Sequence, residues 1–91
     1  MAILSETELS AAVKSLNGWK LENCEIVKTF KHADFVHAMG FVQSVAILAE
    51  RADHHPDIDI RWNKVTLKLA THSEGGITAK DISLAKEIES L

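Results

Sequence analysis

The spacing of apolar positions changes several times along this chain, and each change marks an element. Leu9, Ala12, Val13 and Leu16 recur at the interval of one buried helix face. Ser5-Glu6-Thr7-Glu8 just before them has the form of a capping box, and Leu4 and Leu9 have the spacing of a hydrophobic staple. Asn17-Gly18 supplies the stop. The period then shortens: 19–22 and 25–31 read as two short strands separated by Asn23-Cys24, with Ile26, Lys28 and Phe30 on one face and Val27 and Thr29 on the other.

The longest helix is expected from about residue 33 to 52. Phe35, Met39, Val42, Ala46 and Ala49 form one stripe, and Val36, Phe41, Val45, Ile47 and Leu48 carry apolar surface well beyond it. A helix that is apolar nearly all round must be covered on more than one side. A chain of 91 residues has little protein to spare for the second side. The 33–52 helix is therefore expected to form a subunit interface, giving a homodimer or homotetramer.

After Pro56 the pattern alternates with period two. Ile58, Ile60 and Trp62 interleave with Asp57, Asp59 and Arg61, and Val65, Leu67 and Leu69 with Thr66, Lys68 and Ala70. With Asn63-Lys64 as a two-residue turn, Trp62 opposes Val65, Ile60 opposes Leu67 and Ile58 opposes Leu69, while Asp59 meets Lys68 on the other face. Trp62 then belongs to the core. A last helix starts at Thr78, where Thr78-Ala79-Lys80-Asp81 resembles a capping box and Leu84, Ile88 and Leu91 continue a stripe behind the Gly75-Gly76 turn. No repeat or linker interrupts this order, so residues 1–91 read as a single α+β domain: helix-strand-strand-helix-strand-strand-helix, with a four-stranded antiparallel sheet and the helices on one face.

Composition narrows the function classes. The chain carries 13 acidic and 10 basic residues, a net charge of −3, with no run of Lys or Arg, which argues against direct nucleic-acid binding. The longest uncharged stretch, 35–49, is shorter than the roughly 20 residues of a membrane span. The start MAILSETELS is not a secretory signal, and the lone Cys24 cannot form an internal disulfide, so a cytoplasmic protein is expected.

Five histidines are many for this length. Extending the expected hairpin register places His72 opposite His55, beside His54, at the C-terminal end of the long helix. His55 precedes Pro56 and is pushed to an extended conformation. Glu50, four residues before His54, is expected to share a helix face with it and orient it. Convergent imidazoles could be a three-histidine zinc site, a set of structural hydrogen bonds, or a metal-free acid–base site. Imidazole chemistry suits proton transfer near neutrality. His32 and His37 lie outside this group and read as boundary and solvated residues.

The segment Glu50-Arg51-Ala52-Asp53-His54-His55-Pro56, followed by Trp62, His72 and Asp81, resembles the pterin-4a-carbinolamine dehydratases, as do Gly40-Phe41, Trp62-Asn63-Lys64-Val65 and Asp81-Ile82. The resemblance spans nearly the whole chain. It implies dehydration of a 4a-hydroxytetrahydropterin to the quinonoid dihydropterin, with no cofactor and no metal, in recycling the pterin of an aromatic amino-acid hydroxylase. It implies that His54, His55 and His72 are catalytic, and that Glu50, Asp53, Pro56, Thr71, Ser73 and Glu74 lie around the pterin. Trp62 and Asp81 complete the motif, and Asp81 is read as a structural helix cap. Animal members of the family also serve as dimerisation cofactors of a homeodomain transcription factor, which gives an alternative reading of the long apolar helix.

Overall fold

The capping signals locate the helix starts. In the computed structural model, which describes residues 2–91, α1 runs Glu6–Ser15 behind Ser5. The Ser5 amide donates to Glu8 Oε1 at 2.9 Å, and the Glu8 amide donates to Ser5 Oγ at 3.2 Å. β1 (Lys20–Glu22) and β2 (Glu25–Lys31) turn through Asn23 and Cys24, both at positive φ (48° and 63°), as a two-residue hairpin requires. α2 spans Phe35–Ala52 with Asp34 as its cap, β3 spans Asp57–Arg61, β4 spans Lys64–Leu69, and α3 spans Ala79–Glu89 behind the Thr78/Asp81 capping box. The His37 amide is the main group holding the Asp34 carboxyl below the usual carboxylate range.

The four strands form one antiparallel sheet in the order β1-β2-β4-β3. Its centre is the β2–β4 pairing, where Ile26 opposes Leu69 and Phe30 opposes Val65. Ile26, Val65, Leu67 and Leu69 are fully buried on one face, with Ala38 and Val45 of α2 and Leu84, Ala85 and Ile88 of α3 in the same core. The helices thus lie on one face, as the alternation implies.

The β3–β4 hairpin differs from expectation by two residues. Arg61 opposes Lys64, Ile60 opposes Val65 and Ile58 opposes Leu67, so the turn is Trp62-Asn63 rather than Asn63-Lys64. Lys68 faces Asp57, and Asp59 faces Thr66. A slip of one residue would have exchanged the two faces, but a slip of two preserves them. The apolar pattern fits both registers equally. Asn63 decides between them: it is buried, its Nδ2 donates to the His32 carbonyl at 2.9 Å, and its own carbonyl accepts the His32 amide at 2.8 Å. The turn is thereby pinned to the end of β2. Trp62 consequently leaves the core for a turn at φ 50°, with 68% of its surface exposed.

Lys28 sits on the core face of β2, as the strand pattern implies, and α3 makes this tolerable. Its ammonium pairs with Glu89, donates to the Asn17 carbonyl at 2.6 Å and lies 4.7 Å from the centre of the Phe30 ring. Trp19 Nε1 donates to the same Glu89 oxygen at 2.8 Å. Glu89→Ala would leave Trp19 Nε1 without its acceptor and the Lys28 ammonium without its ion-pair partner, with only the Asn17 carbonyl remaining. The expected loss is about 1–3 kcal/mol in chemical denaturation.

α1 is held loosely, because none of its residues is buried. Its amides are expected to exchange with solvent well before those of β2 and β4, a ranking that native-state hydrogen exchange reads directly.

Candidate active site

β3 and β4 are antiparallel neighbours, so the segment before β3 and the segment after β4 emerge at one end of the sheet. The first of these carries His54 and His55, and the second carries Thr71 and His72. What each side chain meets is set by how α2 ends. Asp53 adopts the left-handed conformation (φ 50°, ψ 45°), and the His54 amide reaches back to the Ala49 carbonyl at 3.1 Å.

This reversal breaks the i, i+4 relation between Glu50 and His54, which holds only while both residues are helical. His54 instead turns toward α3, where its Nε2 pairs with Asp81 Oδ1. Glu50 pairs with the other histidine: His55 Nε2 and Glu50 Oε1 lie 2.7 Å apart at the surface. The two sites differ in burial. The His54 side chain is 11% exposed and Asp81 fully buried, whereas His55 is 57% exposed.

Asp81 has more than its capping role. Its Oδ2 accepts the Thr78 amide at 2.9 Å, closing the capping box, and the Thr71 hydroxyl at 2.8 Å. Thr71 and Thr78 are themselves joined through their hydroxyls at 2.8 Å. Asp81, Thr71, Thr78 and His54 therefore form one hydrogen-bonded unit. The cap was readable from sequence; the second carboxylate oxygen, left free by the cap, was the overlooked signal.

His72 does not extend the hairpin ladder, which ends at Asp57 and Lys68, so it does not oppose His55. It opens a single 3₁₀ turn, His72–Glu74, closed by Gly75 at φ 75° and by the Thr71 amide donating to the Gly76 carbonyl at 2.8 Å. His72, Ser73 and Glu74 are exposed on this turn, while Asp53 and the half-buried Pro56 lie on the opposite segment. His72 lines a cleft of about 420 Å³ with Asn23, Cys24, Glu25, Asp57 and Ala70. His54 lines a second cleft, about 390 Å³, with Ala52, Lys80 and Ser83 among its walls. The part played by the β1–β2 turn in the first cleft was not readable in sequence, because only the β2–β4 pairing brings that turn there.

His32 packs on Phe41, ring centres 4.8 Å apart, and His37 is exposed beside Asp34. Among the described residues, no three His, Cys, Asp or Glu side chains are grouped to hold a metal ion. None of the described helices is long and apolar enough to cross a membrane.

Fold and site together define a small α+β domain with imidazole–carboxylate pairs at one end of its sheet, beside clefts of small-molecule size. The model of the pterin 4 alpha carbinolamine dehydratases matches residues 2–91, and the chain belongs to that family. It is 50% identical over 90 residues to a protein of Roseiflexus castenholzii, covering 99% of this chain and 97% of that one. It is 52% identical over 91 residues to one of Chloroflexus aurantiacus, covering 100% and 98%. Both relatives are provisionally named pterin-4-alpha-carbinolamine dehydratases. A Brucella melitensis crystal structure, described as a transcriptional coactivator/pterin dehydratase, superposes with a TM-score of 0.93 at 39% identity, covering 97% of this chain and 96% of that one.

Proposed function

We propose that this chain, acting as a single domain, removes water from a 4a-hydroxytetrahydropterin to give the quinonoid dihydropterin, and so recycles the pterin of an aromatic amino-acid hydroxylase. The observation that carries the proposal is family membership over residues 2–91, coupled with His54, His55 and His72 at one end of the sheet. The C4a hydroxyl leaves as water after receiving a proton, and a base removes the proton on ring nitrogen N5. Imidazoles perform both tasks near neutral pH, and no cofactor is needed.

His55, exposed and partnered by Glu50, is the main acid–base group, and His72 acts across the site from it. His54, held by Asp81, contacts and orients the substrate. Asp53, Pro56, Thr71, Ser73 and Glu74 border the pterin. The lone exposed Cys24 is consistent with a cytoplasmic setting. The test is ultraviolet decay of a carbinolamine with and without protein. A catalysed rate above the spontaneous one is expected, and a rate equal to it overturns the proposal.

The chain is further proposed to self-associate through α2. Phe35, Val36, Met39 and Ile47 are exposed on this helix at 51, 76, 41 and 60%. Gly40 lies within the same face, with nothing within 4 Å of where a Cβ would stand. A glycine inside a helix weakens it by roughly 0.5–1 kcal/mol, and its own protomer supplies no reason for one here. Close approach of a second helix does. The same surface supports the second reading, a dimerisation cofactor of a transcription factor, which the description of the Brucella protein favours.

A further inference from the structure

We infer that Asp81 is the positioning residue of His54, fixing its neutral ring as the Nε2–H tautomer so that Nδ1 is the nitrogen presented to substrate. This rests on the dehydratase reading only for the word substrate; the tautomer follows from the hydrogen bonds to Asp81 in its ionised form.

The donors and acceptors around Asp81 assign the protons of the pair. Asp81 is fully buried, and three groups converge on its carboxyl: the Thr78 amide and the Thr71 hydroxyl on Oδ2, and the His54 ring on Oδ1. The amide can only donate. The Thr71 hydroxyl, giving its proton to Asp81, accepts that of Thr78, so the chain of hydroxyls runs one way toward the carboxylate. An ionised carboxylate offers acceptors and no donor, so the nitrogen facing it must carry the proton. That nitrogen is Nε2. Nδ1 has no hydrogen-bond partner among the described residues, and it holds the lone pair of the neutral ring or the second proton of the cation.

The same network ties the ring to the neighbouring loop. Thr71 directly precedes His72, and its backbone closes that loop by donating to Gly76 and accepting the Glu74 and Gly75 amides at 2.9 and 3.0 Å. One carboxylate therefore fixes the orientation of His54 and anchors the base of the segment that bears His72. An equivalent arrangement, a buried carboxylate holding an imidazole in the working tautomer, is a known device of histidine catalysis.

The test is imidazole ¹⁵N NMR of the intact protein at a pH where His54 is neutral. The wild-type ring should show Nε2–H and a bare Nδ1. A ring protonated at Nδ1 overturns the inference whatever the activity. Asp81→Asn supplies the second arm. Its amide oxygen would take the place facing Thr71 and Thr78, turning the NH₂ toward His54 and driving the ring proton to Nδ1. The variant should show that exchange and lose roughly tenfold or more in kcat, with much less change in KM. Retention of Nε2–H, or of full kcat after the exchange, overturns the positioning role. If the exchange occurs while neither protein dehydrates a carbinolamine, the tautomer assignment stands and the proposed reaction falls.

Discussion

His55→Ala combined with His72→Ala is expected to reduce the catalysed dehydration rate by roughly 10²-fold or more, to near the spontaneous rate. Each positioned acid or base typically contributes about 10²–10⁴-fold, and the proposed elimination would use one of each. The folded state should persist, because both side chains are exposed and neither belongs to the core. His55 gives up only a surface pair with Glu50, of a kind worth at most about 1 kcal/mol. His37→Ala is the matching control: it removes an equally exposed histidine, paired with Asp34 at the start of α2, and should leave the rate unchanged. Stopped-flow absorbance of the carbinolamine reads all three proteins. A double variant with wild-type rates would remove these histidines from the mechanism.

The second large effect concerns two neighbouring positions of α2 given the same substitution. Val45 and Ile47 are two residues apart, so they project from nearly opposite sides of a helix with 3.6 residues per turn. Val45 is 0% exposed within the protomer, and Ile47 is 60% exposed. Val45→Glu would bury a carboxylate among apolar side chains with no partner. A cost on the order of 5 kcal/mol or more is comparable with the whole stability of a small domain. That variant should lose its cooperative thermal transition. Ile47→Glu should keep it, and sedimentation should show the proposed assembly, present in the unsubstituted protein, reduced to single chains of 10.0 kDa. An Ile47→Glu protein with unchanged mass would remove this face of α2 from the interface.

The contrast also shows what the helical pattern could and could not convey. Apolar residues from Phe35 to Leu48 announced a helix needing cover on more than one side, but Val45 looked like part of the outer surface in the sequence. The structure turns Ala38, Val45 and Ala49 inward and leaves Phe35, Val36, Met39 and Ile47 outward. A nearly continuous apolar circumference has too little contrast for its moment to say which side faces the sheet.

The site was legible to a similar degree. His54, His55, His72 and Asp81 could be singled out from spacing and resemblance, yet their partners could not be assigned. Glu50 goes to His55 because Asp53 ends the helix in a left-handed turn. Asp81 reaches His54 across 27 residues of chain, a contact that no local rule anticipates.

By itself the sequence determined the kind and order of the elements, the helix starts set by Ser5 and Thr78, the two faces of each strand, and the histidines available for proton transfer. These follow from periodicity and capping, which act within a few residues. Only the tertiary structure decided the hairpin register, the strand order, the buried side of α2 and the carboxylate assigned to each imidazole. A slip of two residues leaves the alternation of a strand intact, so the choice passed to Asn63 and its bonds to His32, just beyond β2. Contacts between distant segments likewise exist only once the sheet has assembled, and the His54–Asp81 pair is one of them.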